Sequence, residues 1–302
     1  MSETSTEDAA TQVFLDHRRL LFSVVYNLLG SIADTEEVLQ ETWLAWTRHS
    51  DRLDADEIEN PRAYLVRVAV NQALTQQSVI SRRRETYVGP WLPEPLVADA
   101  AEAEFTDSAS NAESVSMALL VVLETLSPLE RAVFVLHEAF GYQHTEISEI
   151  LGRKPQAIRQ IAHRARKHVE ARRPRYRPDR KVQERVTERF ISAALGGDLS
   201  ELMKVLAPDV TLCADGGGKA PAPGKPIEGR EKVARLFAGF ATRPLSGLSM
   251  HYRLANGEPS VLLLDGDTPW FILILDLTPD GEQIRSIYGI SNPDKLARMV
   301  QS

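Results

Sequence analysis

The chain has 302 residues, 43% of them apolar and 25% charged, with a formal net charge of −7. This is an ordinary globular composition with room for two or three cores, and its sign excludes a molecule that binds polyanions over its whole surface. The single cysteine, Cys213, excludes an intramolecular disulfide and a cysteine metal cluster, and the polar, acidic opening MSETSTEDAATQ with no long apolar run argues against a signal peptide or a membrane span. A reducing, cytoplasmic setting is the expectation.

Residues 10–84 read as a helical domain. Val13, Phe14, Leu20, Leu21, Val24, Val25, Leu28 and Leu29 form an apolar first helix that breaks at Gly30 and Ser31. Ser31 or Asp34 can cap the second helix. There Leu39, Thr42, Trp43 and Trp46 share a face, while Glu37, Gln40, Glu41, Leu44 and Arg48 point elsewhere. A polar loop with several acids, residues 50–60, precedes a third helix. That helix opens on Pro61, suited to a first turn, and exposes Arg62, Arg67, Asn71, Gln72 and Thr75 before Arg82, Arg83 and Arg84.

Residues 85–113 form a linker of two unlike halves. Gly89, Pro90, Pro93 and Pro95 forbid a regular helix in the first half, yet Tyr87, Val88, Trp91, Leu92 and Leu96 are large and apolar. A free tether is normally polar, so this half is expected to dock on some surface. The second half carries Asp99, Glu102, Glu104 and Asp107 and reads as disordered or loosely helical.

A second helical domain spans residues 114–177. Val115, Leu119, Val122 and Leu123 are the expected inward face of its leading helix, and Ser127 with Pro128 starts the next. Then comes a hairpin of two short helices: Thr145 as the first cap, Gly152 at the turn and Pro155 in the first turn of the second helix. On that second helix Ile158, Ile161, Ala162, Ala165 and Val169 fall on one face. Gln156, Gln160, His163 and Lys167 fall on the other, beside Arg159, Arg164 and Arg166. A helix buried on one side and offering Gln, His, Arg and Lys on the other is built to enter a major groove, where Arg or Lys pairs with guanine and Gln with adenine. From Arg153 and Lys154 through Arg173, Arg175 and Arg177 to Arg180 and Lys181 the chain is strongly basic, which supplies phosphate attraction. His137 and His144 have no ligand partners at useful spacing and read as structural.

Residues 179–302 change pattern. Helices are expected over 182–195, 199–206 and 231–241, and strands over 210–214, 249–255, 260–264, 269–277 and 283–290. In the fourth strand Trp270, Ile272, Ile274 and Asp276 alternate with Phe271, Leu273, Leu275 and Leu277. Helices followed by a curved, largely antiparallel sheet make an α+β cone. Asp215, His251, Tyr252, Asp265, Trp270 and Asp276 are candidates to line a pocket in it. Asp215-Gly216-Gly217-Gly218-Lys219 lacks the spacing of a phosphate-binding loop and reads as a loop that lets another segment come close. Asn292 and Pro293 read as the cap and first turn of a terminal helix. These two loops are expected to receive Trp91, Leu92 and Pro93, with Lys219 or Lys295 pairing with Glu94 or Asp294.

Three motifs in this order resemble the extracytoplasmic-function (ECF) group of bacterial RNA polymerase sigma factors. They are Glu37-Val38-Leu39-Gln40-Glu41-Thr42-Trp43, Asn60-Pro61-Arg62-Ala63-Tyr64-Leu65 running to Asn71-Gln72-Ala73-Leu74, and Leu126-Ser127-Pro128-Leu129-Glu130-Arg131 before the hairpin. The segment 87–96, the triple-glycine loop and Asn292-Pro293-Asp294-Lys295-Leu296 resemble the subgroup with a fused C-terminal SnoaL-like domain. The resemblance implies a multidomain chain of two all-α sigma domains, a helical bundle and a helix-turn-helix, plus an α+β SnoaL-like (NTF2-like) cone. It implies core RNA polymerase as partner, through the β′ clamp and β flap, and promoter DNA as ligand, with no cofactor, no catalysis and no membrane. Glu37, Gln40, Glu41 and Leu44 would face the clamp. The loop over 50–60 with Arg62, Arg67 and Asn71 would take the minus-10 element, where an unpaired base is held flipped out. Lys154, Gln156, Arg159, Gln160, His163, Arg164 and Lys167 would take the minus-35 element. Trp91, Leu92, Pro93, Asp215, Lys219, Asp294 and Lys295 would join linker to cone, and the cone would regulate in cis. The competing reading is a SnoaL-like enzyme, or a sensor of a small molecule of unknown identity, fused to a DNA-binding helix-turn-helix regulator.

Overall fold

The computed structural model describes residues 3–50, 60–98, 115–172, 178–242, 247–297 and 299. The loop over 51–59, the acidic half of the linker and Arg173, Arg175 and Arg177 lie outside the described residues. Two compact units are present. One is residues 1–85 with 122–172; the other is residues 86–121 with 173–302. The units therefore do not follow chain order. The two helical regions share one unit, and the linker belongs to the other.

In the first unit α1 (Glu3–Leu29), α2 (Ile32–Ser50) and α3 (Pro61–Glu85) pack as a bundle. Gly30 adopts φ +68°, and Ser31 Oγ accepts from Asp34 N–H at 3.3 Å, so the break and the cap sit where expected. Leu21, Val24, Val25 and Leu28 of α1 are fully buried against Val38 and Leu39 of α2 and Leu65, Val66, Ala69 and Val70 of α3. Two buried side chains donate to backbone carbonyls of α1: Trp46 Nε1 to Ala10 O at 2.8 Å and Gln77 Nε2 to Leu28 O at 2.6 Å.

The later helices are α4 (Met117–Leu123), α5 (Pro128–Phe134, continued by a π-helical turn at Val135–Ala139), α6 (His144–Ile150) and α7 (Pro155–Glu170). The division between units runs through α4. Its buried side chains are Met117, Ala118, Leu120 and Leu123, while Leu119 and Val122 are only partly buried, so the expected inward face is corrected. The expectation assumed one neighbour, whereas Met117 and Ala118 pack in a cluster of the second unit. Ser127 and Glu130 form a reciprocal capping box at α5. The cap of α6 is corrected from Thr145 to Gln143, whose N–H donates to the Glu146 carboxylate at 2.7 Å. Gly152 has φ +59° and Pro155 opens α7, as the turn requires.

The second unit contains α8 (Arg180–Gly196), α9 (Leu199–Val205), α10 (Arg230–Ala238) and a short α11 (Pro293–Leu296). Among the described residues its strands are β1 (Val97–Ala98), β2 (Leu206–Asp215), β3 (Ile227–Glu228), β4 (Leu248–Ala255), β5 (Glu258–Asp265), β6 (Thr268–Leu277) and β7 (Ile284–Ile290). They form one sheet in the order β1-β4-β5-β6-β7-β2-β3, antiparallel except for the parallel pair β2–β7. Helices packed on a single mixed sheet make the α+β region expected for this part of the chain.

Both sheet faces are covered. Leu273, Leu275, Val261 and Ile287 meet Val186, Phe190 and Phe237 of the helices, and the two Phe rings meet edge-on at 4.8 Å. On the other face Leu262, Ile272, Ile274 and Ile290 meet Leu92, Met117, Ala118 and Leu296. The alternation in β6 explains this, because both of its parities are apolar. Leu92 is 1% exposed, and burying such a side chain stabilises by about 1.5–3 kcal/mol.

Candidate nucleic-acid interface and the seat of the linker

The α7 helix separates its two kinds of residue completely. Ile158, Ile161, Ala162, Ala165 and Val169 are buried, whereas Gln156, Arg159, Gln160, His163, Arg164 and Lys167 are all exposed, as is Lys154 just before it. Gln156, Arg159, Gln160, His163 and Arg164 line one shallow concavity. Arg164 lies 3.6 Å from Glu130, and Arg166 is held by Glu138, so the flanking cations are partly committed to α5 and its π turn. Five donors and acceptors on one exposed helix face can reach base edges in a major groove.

On α2, Glu37, Gln40, Glu41 and Leu44 are exposed at helical spacing, while Leu39, Thr42 and Trp46 are buried. Leu44, 45% exposed, places an apolar side chain within an otherwise polar stripe. Glu37 accepts from Gln76 of α3 at 2.9 Å.

On α3, Arg62, Arg67 and Asn71 are exposed, but their polar groups have protein partners. Arg67 lies over the Tyr64 ring at 5.7 Å, and Tyr64 itself stacks on His49 at 4.3 Å. Arg62 lies over Tyr142 at 5.7 Å, and Asn71 Nδ2 donates to Ile150 O at 3.0 Å. The His137 and His144 rings lie 4.3 Å apart, tilted by 37°, and His137 Nδ1 lies 2.9 Å from Tyr142 O. The His144 pKa is lowered by burial first and then by His137, Arg159 and Arg166. Among the described residues no group of three or more His, Cys, Asp or Glu is arranged to hold a metal ion.

In the second unit the first half of the linker is anchored by a buried polar cluster. Asp215 is fully buried. Its Oδ1 accepts from the Tyr87 hydroxyl at 2.6 Å, and its Oδ2 accepts from Leu92 N–H at 2.8 Å and from Lys295 Nζ at 2.7 Å. The Lys295 ammonium, 5% exposed, also donates to Leu92 O and lies 4.2 Å from the Trp91 ring centroid. Asn292 Nδ2 donates to the Tyr87 hydroxyl at 2.7 Å, and its Oδ1 caps α11 at Asp294 N–H. Lys219 pairs with Asp294 at 2.5 Å, while Lys295 has Asp215 as a partner that the sequence did not suggest. Pro93 is buried beside Leu92.

The glycines are explained by proximity. At Gly217, φ +60°, a Cβ would collide with the Asn292 side-chain amide, and at Gly218, φ +70°, it would lie 3.0 Å from Val88 Cβ. Burial, and then the hydrogen bond to Asp215, pushes the Tyr87 phenol above its ordinary pKa. Burial and the Asp215 charge raise the Cys213 thiol to about 11, which leaves it unreactive at neutral pH.

The candidate pocket set is corrected. Strand register puts His251 with Leu262 and Ile272, on the linker side, and Tyr252 with Val261 and Leu273, on the helix side. Tyr252, Asp265 and Trp270 are exposed, Asp215 serves the linker, and Asp276 pairs with Arg285 at 3.0 Å. These six residues share no pocket. The sequence missed Tyr87 as a hydrogen-bonding group, and also the pair Glu124 and Arg131. The signals were a Tyr in a proline-rich segment and acid–base neighbours seven residues apart.

Comparison with known proteins agrees with this geometry. Residues 13–83 match the model of Sigma-70 region 2, and residues 116–169 that of Sigma-70, region 4. The chain is 36% identical over 287 residues to the ECF RNA polymerase sigma factor SigJ of Mycobacterium tuberculosis (strain ATCC 25618 / H37Rv), covering 92% of this chain and 90% of SigJ. It is 31% identical over 298 residues to the probable ECF RNA polymerase sigma factor SigI of Mycobacterium tuberculosis (strain CDC 1551 / Oshkosh), covering 97% and 96%. The crystal structure of the M. tuberculosis extracytoplasmic function sigma factor SigJ matches with a TM-score of 0.75 at 35% identity, over 95% of this chain and 98% of that one. These likenesses define the class, a sigma-type transcription initiation factor. More narrowly, the chain belongs to the ECF RNA polymerase sigma factors, in the SigJ-like subgroup with a fused C-terminal α+β region. No described helix is long and apolar enough to cross a membrane.

Proposed function

We propose that Glu37, Gln40, Glu41 and Leu44 of α2 dock on the β′ clamp of core RNA polymerase. Arg62, Arg67 and Asn71 of α3 serve the minus-10 element, and Lys154 with Gln156, Arg159, Gln160, His163, Arg164 and Lys167 serves the minus-35 element. In this reading residues 10–84 and 114–177 are the two promoter modules, the latter also meeting the β flap, and residues 179–302 modulate them in cis. The linker seat is the control point: Trp91, Leu92 and Pro93 bind the cluster of Asp215, Lys219, Asp294 and Lys295. The observation that supports the reading best is the complete two-sidedness of α7, with five apolar side chains buried and all its proposed DNA contacts exposed.

Run-off transcription with purified core polymerase tests this. The full-length protein should direct promoter-specific transcripts. Glu41→Ala with Leu44→Ala should weaken co-elution with the polymerase, and Trp91→Ala with Leu92→Ala should change transcript yield without changing the start site. A folded protein that neither associates with the polymerase nor selects any promoter would refute the reading. Unchanged yield from the linker variant would refute its regulatory part.

A further inference from the structure

One edge of the α7 helix is already committed to the protein itself. Arg166 follows Arg159 by about two turns, so the two stand on the same edge, beside the face proposed to read bases. Arg166 donates from Nε and from Nη2 to one carboxylate oxygen of Glu138, the Nε bond at 2.9 Å. Its side chain is 38% exposed and that of Glu138 33%. The pair is therefore at the surface, where a phosphate could reach it, yet closed. Arg164 is held more loosely, 3.6 Å from Glu130 and 64% exposed.

Glu138 stands in the π-helical turn Val135–Ala139, closed by Phe140 N–H on Val135 O at 3.3 Å. Such turns are uncommon inside helices and recur at functional sites. This one buries Val135 and Leu136 and leaves Glu138 at the surface beside α7. His144, which opens α6, shows that these groups share one neighbourhood. Its pKa is lowered by burial and then by His137, Arg159 and Arg166, and Glu138 opposes that shift. A phosphate that took Arg166 would have to displace a carboxylate held through two N–H groups and sit close to its charge. A pair this exposed shifts an equilibrium by only about two- to fivefold. That is enough to tune affinity for DNA and too little to abolish it.

We infer that Glu138 is a positioning residue of the minus-35 reader: it holds Arg166 off the DNA phosphates and so limits the sequence-independent part of binding. This rests on the reading of α7 as the helix that enters the major groove. The proposed base contacts, Gln156 and Gln160 among them, are untouched by the pair, so its effect is alike on all sequences.

The test uses the full chain bound to core polymerase. The probes are a promoter fragment that supports run-off transcription and the same fragment with its minus-35 element scrambled, titrated over a range of salt. Glu138→Gln should tighten both fragments by about two- to fivefold at low salt and steepen the salt dependence by about 0.9, the worth of one phosphate. Arg166→Ala alone should leave that slope unchanged. Glu138→Gln combined with Arg166→Ala should return it to the value of the unsubstituted protein, because the two residues act as one unit. A merely structural Glu138 would weaken both fragments on substitution and leave the slope alone. Glu138→Gln that binds no tighter overturns the inference. So does Arg166→Ala that flattens the slope, since Arg166 would then already hold a phosphate. A gain that survives in the double variant overturns it too, because Glu138 would then act only by general repulsion. If Glu138→Gln does not fold, the slope of Arg166→Ala decides. Lys167→Ala separates this from the functional reading. If it flattens the slope while Glu138→Gln does not steepen it, the inference alone fails. If neither moves the slope, α7 does not meet DNA phosphates and the reading beneath it fails.

Discussion

The two compact units treat charge in opposite ways. In the first, the residues proposed to meet DNA and polymerase lie on the surface, and apolar faces fill the interior. In the second, a carboxylate and an ammonium are taken out of water to hold a segment of proline-rich chain: Asp215 is 0% exposed and Lys295 5%. The comparison teaches what each unit is for. A reading surface needs hydrated side chains that exchange water for bases. A seat for an irregular segment must satisfy backbone groups that no helix or strand supplies, and Asp215 and Lys295 do so for Leu92 N–H and O. A pair buried in this way is sensitive to losing one partner, because the other charge remains in a poor dielectric.

The sharpest way to break the comparison follows from that asymmetry. Asp215→Ala should destabilise the second unit by about 3–5 kcal/mol, since it strands Lys295 and removes acceptors from Tyr87 and Leu92. Adding Lys295→Met should recover part of the loss. Hydrogen exchange of β2 and β7 amides in urea would measure both. A loss under about 0.5 kcal/mol, typical of surface substitutions, would mean that the buried cluster is not holding the unit together.

A smaller contrast uses two glycines of nearly equal backbone angle, one in each unit. Gly152 has φ +59° with open space where a methyl would go, whereas Gly217 has φ +60° with the Asn292 amide already in that place. Gly152→Ala should cost about 1–2 kcal/mol from backbone strain alone. Gly217→Ala should cost at least about 1 kcal/mol more, because Asn292 must leave both Tyr87 and its cap. Equal costs, measured by the same exchange experiment, would show that the Gly217 loop yields freely.

The reading surface should respond in affinity and not in stability. Gln160→Ala should lose about 1–3 kcal/mol of discrimination at one base pair of the minus-35 element. Lys167→Ala should weaken all sequences alike and reduce the salt dependence by about one phosphate's worth. Titration of promoter variants at two salt concentrations separates them. A Gln160→Ala protein with unchanged sequence preference would remove that residue from base reading.

These contrasts also explain what the sequence revealed. The α7 face was legible because a 3.6-residue period sorts Ile158, Ile161, Ala162, Ala165 and Val169 without knowledge of neighbours. The β6 alternation likewise separated Ile272 and Ile274 from Leu273 and Leu275, and Gly30, Gly152 and Pro155 marked the helix breaks. What was not legible depends on long-range partners. Lys295 reaches Asp215 across 80 positions, and Asn292 reaches Tyr87 across 205, with no local pattern to announce either. Residues Met117 and Ala118 of α4 were left out of the expected inward face for the same reason, because the neighbour that buries them is a sheet far along the chain. The six proposed pocket residues failed differently. Polar and aromatic residues were gathered without strand register, and register sends His251 and Tyr252 to opposite faces.

The smallest expected effect concerns pH and isolates Tyr87. Its phenol is raised above the ordinary value of 10.0, first by burial and then by its hydrogen bond to Asp215. The folded state therefore holds that proton more tightly than the unfolded chain does. The resulting stability is present in full below pH 10.0 and is lost as pH climbs from there toward the folded-state value. Phenolate formation would set a second negative charge against Asp215, and Lys295 can compensate only one. Tyr87→Phe removes the titration together with the hydrogen bonds. It should be less stable at neutral pH by about 1 kcal/mol, and its stability should fall less steeply above pH 10.0. The two melting curves should therefore converge in alkali. Parallel curves would show that the hydroxyl at the centre of the linker seat does not feel the carboxylate 2.6 Å away.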